Sequence, residues 1–470
     1  MVHKGLLTIE DLSNQEIVDV LDLAQVMGRD LRGQGELAQG YIMASLFFEP
    51  STRTRGSFES AMNRLGGQTI TTADARSSSL EKGESLADTM RVWSGYADLI
   101  VMRHPWEGAA RLAADYADVP VVNAGDGGHE HPTQTLCDLF TLREEHGTLE
   151  GLRVALCGDL KNGRTVHSLT FALLRFGAQI IFVPGQGLEL PDHVRRRIGD
   201  VYKTPIERVR PSEVDLGGLF ADNAAGEAVG ASLSAVYMTP SRPHQLAMHE
   251  SDALVRFRRV QTPNAIYVTR MQKERIAQGQ ERGAYPRVDS RVMSSPALSK
   301  AIVMHPLPRV DELSTDMDAD PRARYFHQAR NGVPVRMALV SLLLGKRTWS
   351  EGSMDSFMVA PIEVLAEGLV CRNLNCASQR ESKSCGGQVL AFPSAPPWFL
   401  CRYCERLVPA SHFAYKGKRV YHPMEELQLH GVEQLSRLRF FGTSESAEAA
   451  GLVEAGGAPR AKSPIIEVVG

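Results

Sequence analysis

Residues 1–345 alternate short apolar runs with longer stretches of helical period, and this alternation constrains the fold more than any other feature. Residues 41–48 form an apolar run suited to a buried strand. Phe58, Ala61, Met62 and Leu65 then fall at helical spacing, and Gly66-Gly67 stops that helix. Residues 97–102 and 119–123 are again strand-like. Pro132 opens a helix carrying Leu136, Leu139 and Phe140, with Gly147 beyond its end. A second set begins at Gly151: strand candidates at 154–157, 180–183, 265–269 and 301–304, with a helical stretch at 166–176. Repeated strand–helix units predict parallel sheets covered by helices. Two such sets predict an α/β protein of two parallel-sheet domains with a cleft between them. Binding groups then belong at the carboxyl ends of the strands.

At 470 residues the chain is too long for one ordinary domain, and 43% hydrophobic with 23% charged residues suits a globular protein. A net charge of −3 supplies no broad basic field for nucleic acid. No apolar run approaches the roughly 18 residues of a spanning helix. The first residues lack the apolar centre of a secretory signal. A cytoplasmic protein with neither nucleic-acid nor membrane partner is expected. In that compartment the seven cysteines are not a disulfide framework.

Composition changes near Ser350. Residues 348–367 read as a linker and 368–425 as a small, loop-rich domain. Residues 426–470 read as a partly mobile tail, Ala/Gly/Glu/Pro-rich from about Gly442. Ala235-Val-Tyr-Met-Thr239 resembles Ala265-Ile-Tyr-Val-Thr269, which reads as chance or a local insertion at about 219–260 rather than a repeat.

The polar motifs sit where strands end. Ser51-Thr52-Arg53-Thr54-Arg55 opens a helix after a strand, offering free N–H groups, hydroxyls and two guanidinium groups to a phosphate. The bland alternative is a capped helix with solvated arginines. Met102-Arg103-His104-Pro105 ends another strand. His129 and His131 flank one residue in a Gly-rich loop, but no third ligand stands at a familiar spacing; the better reading aims His131 and Gln134 into the cleft. The glycines of residues 158–163 are not spaced as a dinucleotide loop. Thr269-Arg270-Met-Gln272 and His305-Pro306-Leu307-Pro308 are two further polar strand ends, the second stiffened by its prolines. Cys371-x4-Cys376 and Cys401-x2-Cys404, 24 residues apart, match a closed four-thiolate site holding one structural zinc per chain, with Cys385 spare. Lys416, Lys418 and Arg419 make only a small basic spot.

In their order, STRTR (51–55), EKGESLADT (81–89), MRHP (102–105), HPTQT (131–135), GDLKNGRTVHS (158–168), TRMQKER (269–275) and HPLPRVDE (305–312) resemble the aspartate/ornithine carbamoyltransferase family over about 1–350. Pro306 stands where the ornithine branch is expected to carry cysteine, and no S-M-G loop is present, so the resemblance is to the aspartate branch. It implies carbamoyl transfer from carbamoyl phosphate to L-aspartate, early in pyrimidine synthesis, without a catalytic cofactor. It also implies a carbamoyl-phosphate domain at 1–140, completed by a helix at about 325–347, and an aspartate domain at 141–324. By resemblance Ser51, Thr52, Arg53 and Thr54 grip phosphate, and Thr54, Arg103 and His131 polarise the carbamoyl oxygen. Gln134 and the carbonyls of Pro306 and Leu307 hold the carbamoyl nitrogen. Arg164 and Arg270 bind the aspartate carboxylates, a bidentate task that lysine performs poorly, and Gln272 assists. Of the two similar strand ends, the one bearing Arg270 is preferred over Thr239-Pro240, although Arg242 stands near the latter. Lys82 and Ser78, with Ser79 the rival, belong to a loop that reaches a neighbouring subunit's site, which implies a homotrimer or a multiple of it.

The cysteine segment resembles the zinc domain of the regulatory chain that partners the aspartate branch, here fused to the catalytic chain. Only 25 residues separate Gly345 from Cys371, too few for a nucleotide-binding domain in between. A different class of function is an inactive homologue acting as scaffold for another pyrimidine-pathway enzyme. The presence of Arg53, Lys82, Arg103, His131, Arg164 and Arg270 together argues for activity.

Overall fold

The computed structural model describes residues 5–72, 83–204, 206–209, 235–238, 263–272, 287–295, 298–350, 361–365, 369–385, 388–392, 394, 397–427 and 432–455. The chain divides into two compact units, Met1–Met358 and Val359–Gly470.

The first unit contains two parallel sheets. In one, β1 (Gly5–Leu6), β2 (Ile42–Phe47), β3 (Gln68–Thr72), β4 (Leu99–His104) and β5 (Val121–Asp126) lie in the order β1-β5-β4-β2-β3. In the other, β6 (Arg153–Gly158), β7 (Gln179–Pro184), β8 (Ile206–Val209), β9 (Ala235–Met238), β10 (Ala265–Val268) and β11 (Ile302–Met304) lie in the order β11-β10-β6-β7-β9-β8. Met43, Ala44, Leu46, Ile100, Val101, Val154, Ala155 and Leu156 are all fully buried. Unbroken apolar runs in central strands follow from helices covering both sheet faces.

The helices are α1 (Asn14–Arg29), α2 (Thr52–Arg64), α3 (Leu86–Ser94), α4 (Ala109–Tyr116), α5 (Pro132–His146), α6 (Arg164–Arg175), α7 (Asp192–Asp200) and the long α8 (Tyr325–Leu343). Ser13 accepts from the Glu16 N–H and Glu16 reaches back to the Ser13 N–H, a reciprocal cap that starts α1. Pro132 occupies the first turn of α5, and Gly147, at φ 75°, ends it. Helix α8 is apolar around most of its circumference because α1, α2 and α5 enclose it. The chain thus returns from the second sheet to the first. No described helix is long and apolar enough to cross a membrane.

Ala235–Met238 is a strand of the second sheet, paired in parallel with both β7 and β8. The rest of the 219–260 span lies outside the described residues, as do residues 351–360 of the linker.

The second unit holds an antiparallel sheet of β12 (Ile362–Leu365), β13 (Gln388–Phe392) and β14 (Trp398–Cys401). A further sheet runs β17 (Leu438–Phe441), β15 (His412–Tyr415), β16 (Val420–Pro423), β18 (Val453–Glu454). The boundary at 425 and the tail from 426 are therefore corrected. Leu438, Phe440 and Phe441 are buried, and Thr443 caps the helix Ser444–Ala449, which buries Ala447. A capped Glu/Ala-rich helix shares its composition with a mobile segment; the buried aromatic strand before it decides between them.

His104 closes β4 with its ring edge-on to Phe48 and Trp106, and its Nδ1 accepts the Trp106 N–H at 3.1 Å. Burial pushes its pKa down to about 4. The folded chain keeps this ring neutral while the unfolded chain protonates it below about 6.5. Protons therefore favour the unfolded state, and this contribution to stability is lost as pH falls from about 6.5 to 4. A tenfold difference in proton affinity between the two states is worth about 1.4 kcal/mol. A His104→Gln variant should be less stable than wild type at pH 7.5, with the difference in melting temperature narrowing steadily toward pH 4.5. A pH-independent difference would contradict this.

Candidate active site

The polar motifs converge where strands of the two sheets end. After β2, Ser51 occupies the N-cap of α2 without a side-chain cap bond, and Thr54 is buried on its first turn. The Thr54 hydroxyl lies 3.4 Å from His131 Nε2. Arg53, exposed overall, has its pKa lowered by partial desolvation and then by the charge of Arg270, which places these guanidinium groups in one field. Thr52 is exposed beside it.

The loop after β5 is built to present His131. Asn123 Nδ2 donates to the Leu7 carbonyl and to Asp126 Oδ1, both at 2.9 Å, while Asp126 Oδ2 takes the Gly108 N–H at 2.8 Å and meets His129 Nδ1 at 3.0 Å. His129 thus faces Asp126 and His131 faces Thr54. The His131 N–H donates to Ser168 Oγ on α6 at 3.2 Å. Burial, followed by the charges of Arg164, Arg103 and Arg336, holds the His131 pKa well below the usual imidazole range. Its ring is therefore neutral, able to donate or accept without carrying charge.

Glu49, which sequence reasoning misses, anchors two of the arginines. Its Oε2 lies 3.2 Å from Arg103 Nε at the end of β4 and 3.3 Å from Arg164 at the start of α6. Arg164 also donates to the Gly127 carbonyl at 2.8 Å. Gly125, at φ +112°, makes room for it: a Cβ there would lie 2.9 Å from Arg164 Cζ.

From the second sheet, Arg270 and Gln272 follow β10, with the Gln272 N–H donating to Asp159 Oδ2 at 3.2 Å. His305 follows β11. Its Nδ1 accepts the Leu307 N–H at 2.8 Å, so the ring proton is on Nε2, facing Glu312 Oε1 at 2.9 Å. This clamp holds Leu307 at φ 54°, ahead of a cis Leu307–Pro308 bond. Gln134 Nε2 donates to the buried Asp138 at 2.8 Å. Lys82, Ser78 and Ser79 lie outside the described residues, as do Thr239 and Arg242.

Glu49, Asp138, Gln328 and Tyr267 are neighbours of the site that sequence reasoning passes over, whereas Glu312 closes the HPLPRVDE motif. Among these four only Glu49 carries a signal, as an acid two residues before the Ser51–Arg55 motif. The remainder are ordinary helix, strand or loop residues whose partners are distant in sequence.

In the second unit the Sγ atoms of Cys371, Cys376, Cys401 and Cys404 lie within 4.8 Å of one another, and all four residues are buried and free of disulfides. Cys371–Cys404 and Cys376–Cys401 sulfur distances are 3.5 and 3.7 Å. Tetrahedral thiolates about 2.3 Å from zinc stand roughly 3.8 Å apart, so the set fits that ion. Cys385 is outside the cluster, and burial pushes its thiol up to about 12.

Comparison with known proteins agrees with this geometry. Residues 4–144 match the family pattern described as aspartate/ornithine carbamoyltransferase, carbamoyl-P binding domain, and residues 245–343 match the Asp/Orn binding domain. An aspartate carbamoyltransferase catalytic subunit from Thermoplasma acidophilum is 43% identical over 349 residues, 73% of this chain and 99% of the relative. The corresponding subunit of Chromobacterium violaceum is also 43% identical, over 74% of this chain and 99% of its own length. The solved catalytic subunit of M. jannaschii aspartate transcarbamoylase superposes with a TM-score of 0.57 at 40% identity, covering 74% of this chain and all of that one. Aspartate transcarbamoylase from Trypanosoma cruzi, solved with carbamoyl phosphate, gives 0.58 at 35% identity, over 72% of this chain and 96% of that one. The chain belongs to the aspartate/ornithine carbamoyltransferase family, and within it groups with aspartate carbamoyltransferase catalytic subunits.

Proposed function

We infer that the chain transfers the carbamoyl group of carbamoyl phosphate to the amine of L-aspartate, giving N-carbamoyl-L-aspartate and phosphate in pyrimidine synthesis. The observation that carries this reading is the meeting of Arg53, Arg103, Arg164 and Arg270 with a neutral His131 at the strand ends of two parallel sheets. Two anionic substrates must be brought together there, and a cationic, partly desolvated cleft lowers the repulsion between them.

Ser51, Thr52, Arg53 and Thr54 take the phosphate at the start of α2. Thr54, Arg103 and His131 donate to the carbamoyl oxygen. Gln134 and the carbonyls of Pro306 and Leu307 accept from the carbamoyl NH₂. Arg164 and Arg270 receive the aspartate carboxylates, with Gln272 beside them. The amine attacks the carbonyl carbon, forming the C–N bond; the C–O bond to phosphate then breaks, and the amine proton passes to the leaving phosphate. Arg53 stabilises the charge that builds on that group. No cofactor takes part. Turnover with aspartate should far exceed that with ornithine, and Arg53→Ala should reduce it about 10²–10³-fold with the fold intact. Equal rates with ornithine, or a nearly wild-type Arg53→Ala enzyme, would overturn the assignment.

Lys82 and Ser78 complete the site of a neighbouring chain in a homotrimer or a multiple of trimers. Lys82→Ala and Arg164→Ala should each be nearly inactive alone. Trimers reassembled from a mixture should regain part of the activity, since some sites would combine intact residues from two chains. No recovery after verified mixing would exclude a shared site.

Cys371, Cys376, Cys401 and Cys404 would hold one structural zinc, which supplies a cross-link to a unit with a small core and takes no part in transfer. This unit serves assembly. Chelation, or Cys401→Ser, should unfold the second unit by circular dichroism and change assembly size by light scattering, while carbamoyl transfer persists. Unchanged size and unchanged unfolding would show that the cysteines are not a metal site.

A further inference from the structure

We propose that Asp138 is a positioning residue for carbamoyl transfer, orienting through Gln134 and Gln328 the acceptors that hold the carbamoyl nitrogen. The proposal rests on the reading in which Gln134 and the Pro306 and Leu307 carbonyls take that nitrogen.

Asp138 lies one turn beyond Gln134 on α5 and is fully buried. Its Oδ1 accepts from Gln134 Nε2 at 2.8 Å and from Gln328 Nε2 at 2.6 Å, and its Oδ2 accepts from the Tyr267 hydroxyl at 2.8 Å. Burial pushes its pKa up to about 7 against the pull of these three donors, so the carboxylate prevails at pH 8. An ionised carboxylate accepts hydrogen bonds and cannot donate them, so both amides must turn their NH₂ groups toward it. Their carbonyl oxygens then face away. Gln328 Oε1 takes the His305 N–H at 2.9 Å, and His305 Nδ1 in turn holds the Leu307 N–H at 2.8 Å. Gln134 keeps its Oε1 as an acceptor. One carboxylate thereby fixes acceptors on α5 and on the loop after β11, elements that follow strands of different sheets of the first unit. Tyr267, on β10, adds a third tie from the second sheet. A reversed Gln134 amide would set NH₂ against the carbamoyl NH₂, a pairing with no hydrogen bond and a desolvation penalty.

This predicts an effect confined to the nitrogen. Acetyl phosphate, which carries methyl in place of NH₂, is the probe that separates orientation from general packing. At pH 8, Asp138→Asn should raise the KM for carbamoyl phosphate about 10-fold or more. The inhibition constant of acetyl phosphate and the KM for aspartate should stay within about 2-fold. Gln328→Met, which keeps the Asp138–Gln134 bond but loses the tie to His305, should move the same way by about 3- to 10-fold, and it decides the matter if the Asn variant does not fold. Equal weakening of carbamoyl and acetyl phosphate would reduce Asp138 to a packing role, and no weakening of either in a folded variant would overturn the proposal. Gln134→Ala separates the two readings. A wild-type preference for carbamoyl over acetyl phosphate in that variant would overturn the nitrogen-site reading and the proposal with it. Loss of preference in Gln134→Ala but not in Asp138→Asn would overturn the proposal alone.

Discussion

Like charges crowded into one cleft repel, and the first unit is organised around holding them there. Arg103 comes from the end of β4 and Arg164 from the start of α6, yet both lean on the same oxygen of Glu49. A partly buried carboxylate shared by two guanidinium groups offsets part of their repulsion and leaves the group net positive. The surplus is the useful quantity, since an arriving dianion finds charge already oriented. A carbonyl adds to this: Gly127 supports Arg164 from the backbone without adding negative charge that would have to be displaced.

The histidines show how the same cleft separates charge from hydrogen bonding. His131 and His305 both have their pKa lowered, first by burial, with neighbouring arginines contributing. Each is a neutral ring with fixed partners. His305 is spent on backbone geometry, since its two nitrogens hold Leu307 and face Glu312. His131 meets the Thr54 hydroxyl that opens α2, so a ring from one strand end reports on the helix start beyond another. Arginines supply the field, and neutral groups supply direction.

Much of the first unit is legible in the sequence because its signals are local. Apolar runs name the central strands, Pro132 and Gly147 bracket α5, and the motif residues stand where strands stop. What escapes is non-local. Asp138 reads as one acid among several on α5 until Tyr267 and Gln328, distant in the chain, are brought against it. Ala235–Met238 offers too few residues to show a period, and its likeness to residues 265–268 is the one local sign of a strand. The 426–470 stretch misleads because its helix is rich in Glu and Ala, while the apolar signal, Leu438 to Phe441, occupies only four positions. The cysteine spacing is unambiguous, and the four sulfurs do meet.

Gly125 carries a consequence in the language of inheritance. Its backbone lies so close to the Arg164 guanidinium that the space of a single carbon is already occupied. Every base change in a glycine codon that substitutes another amino acid adds that carbon, so the position has no mild neighbour in sequence space. Drift at this locus is confined to synonymous change. Losing the arginine alone would not release the position, because φ +112° strains any side chain placed there.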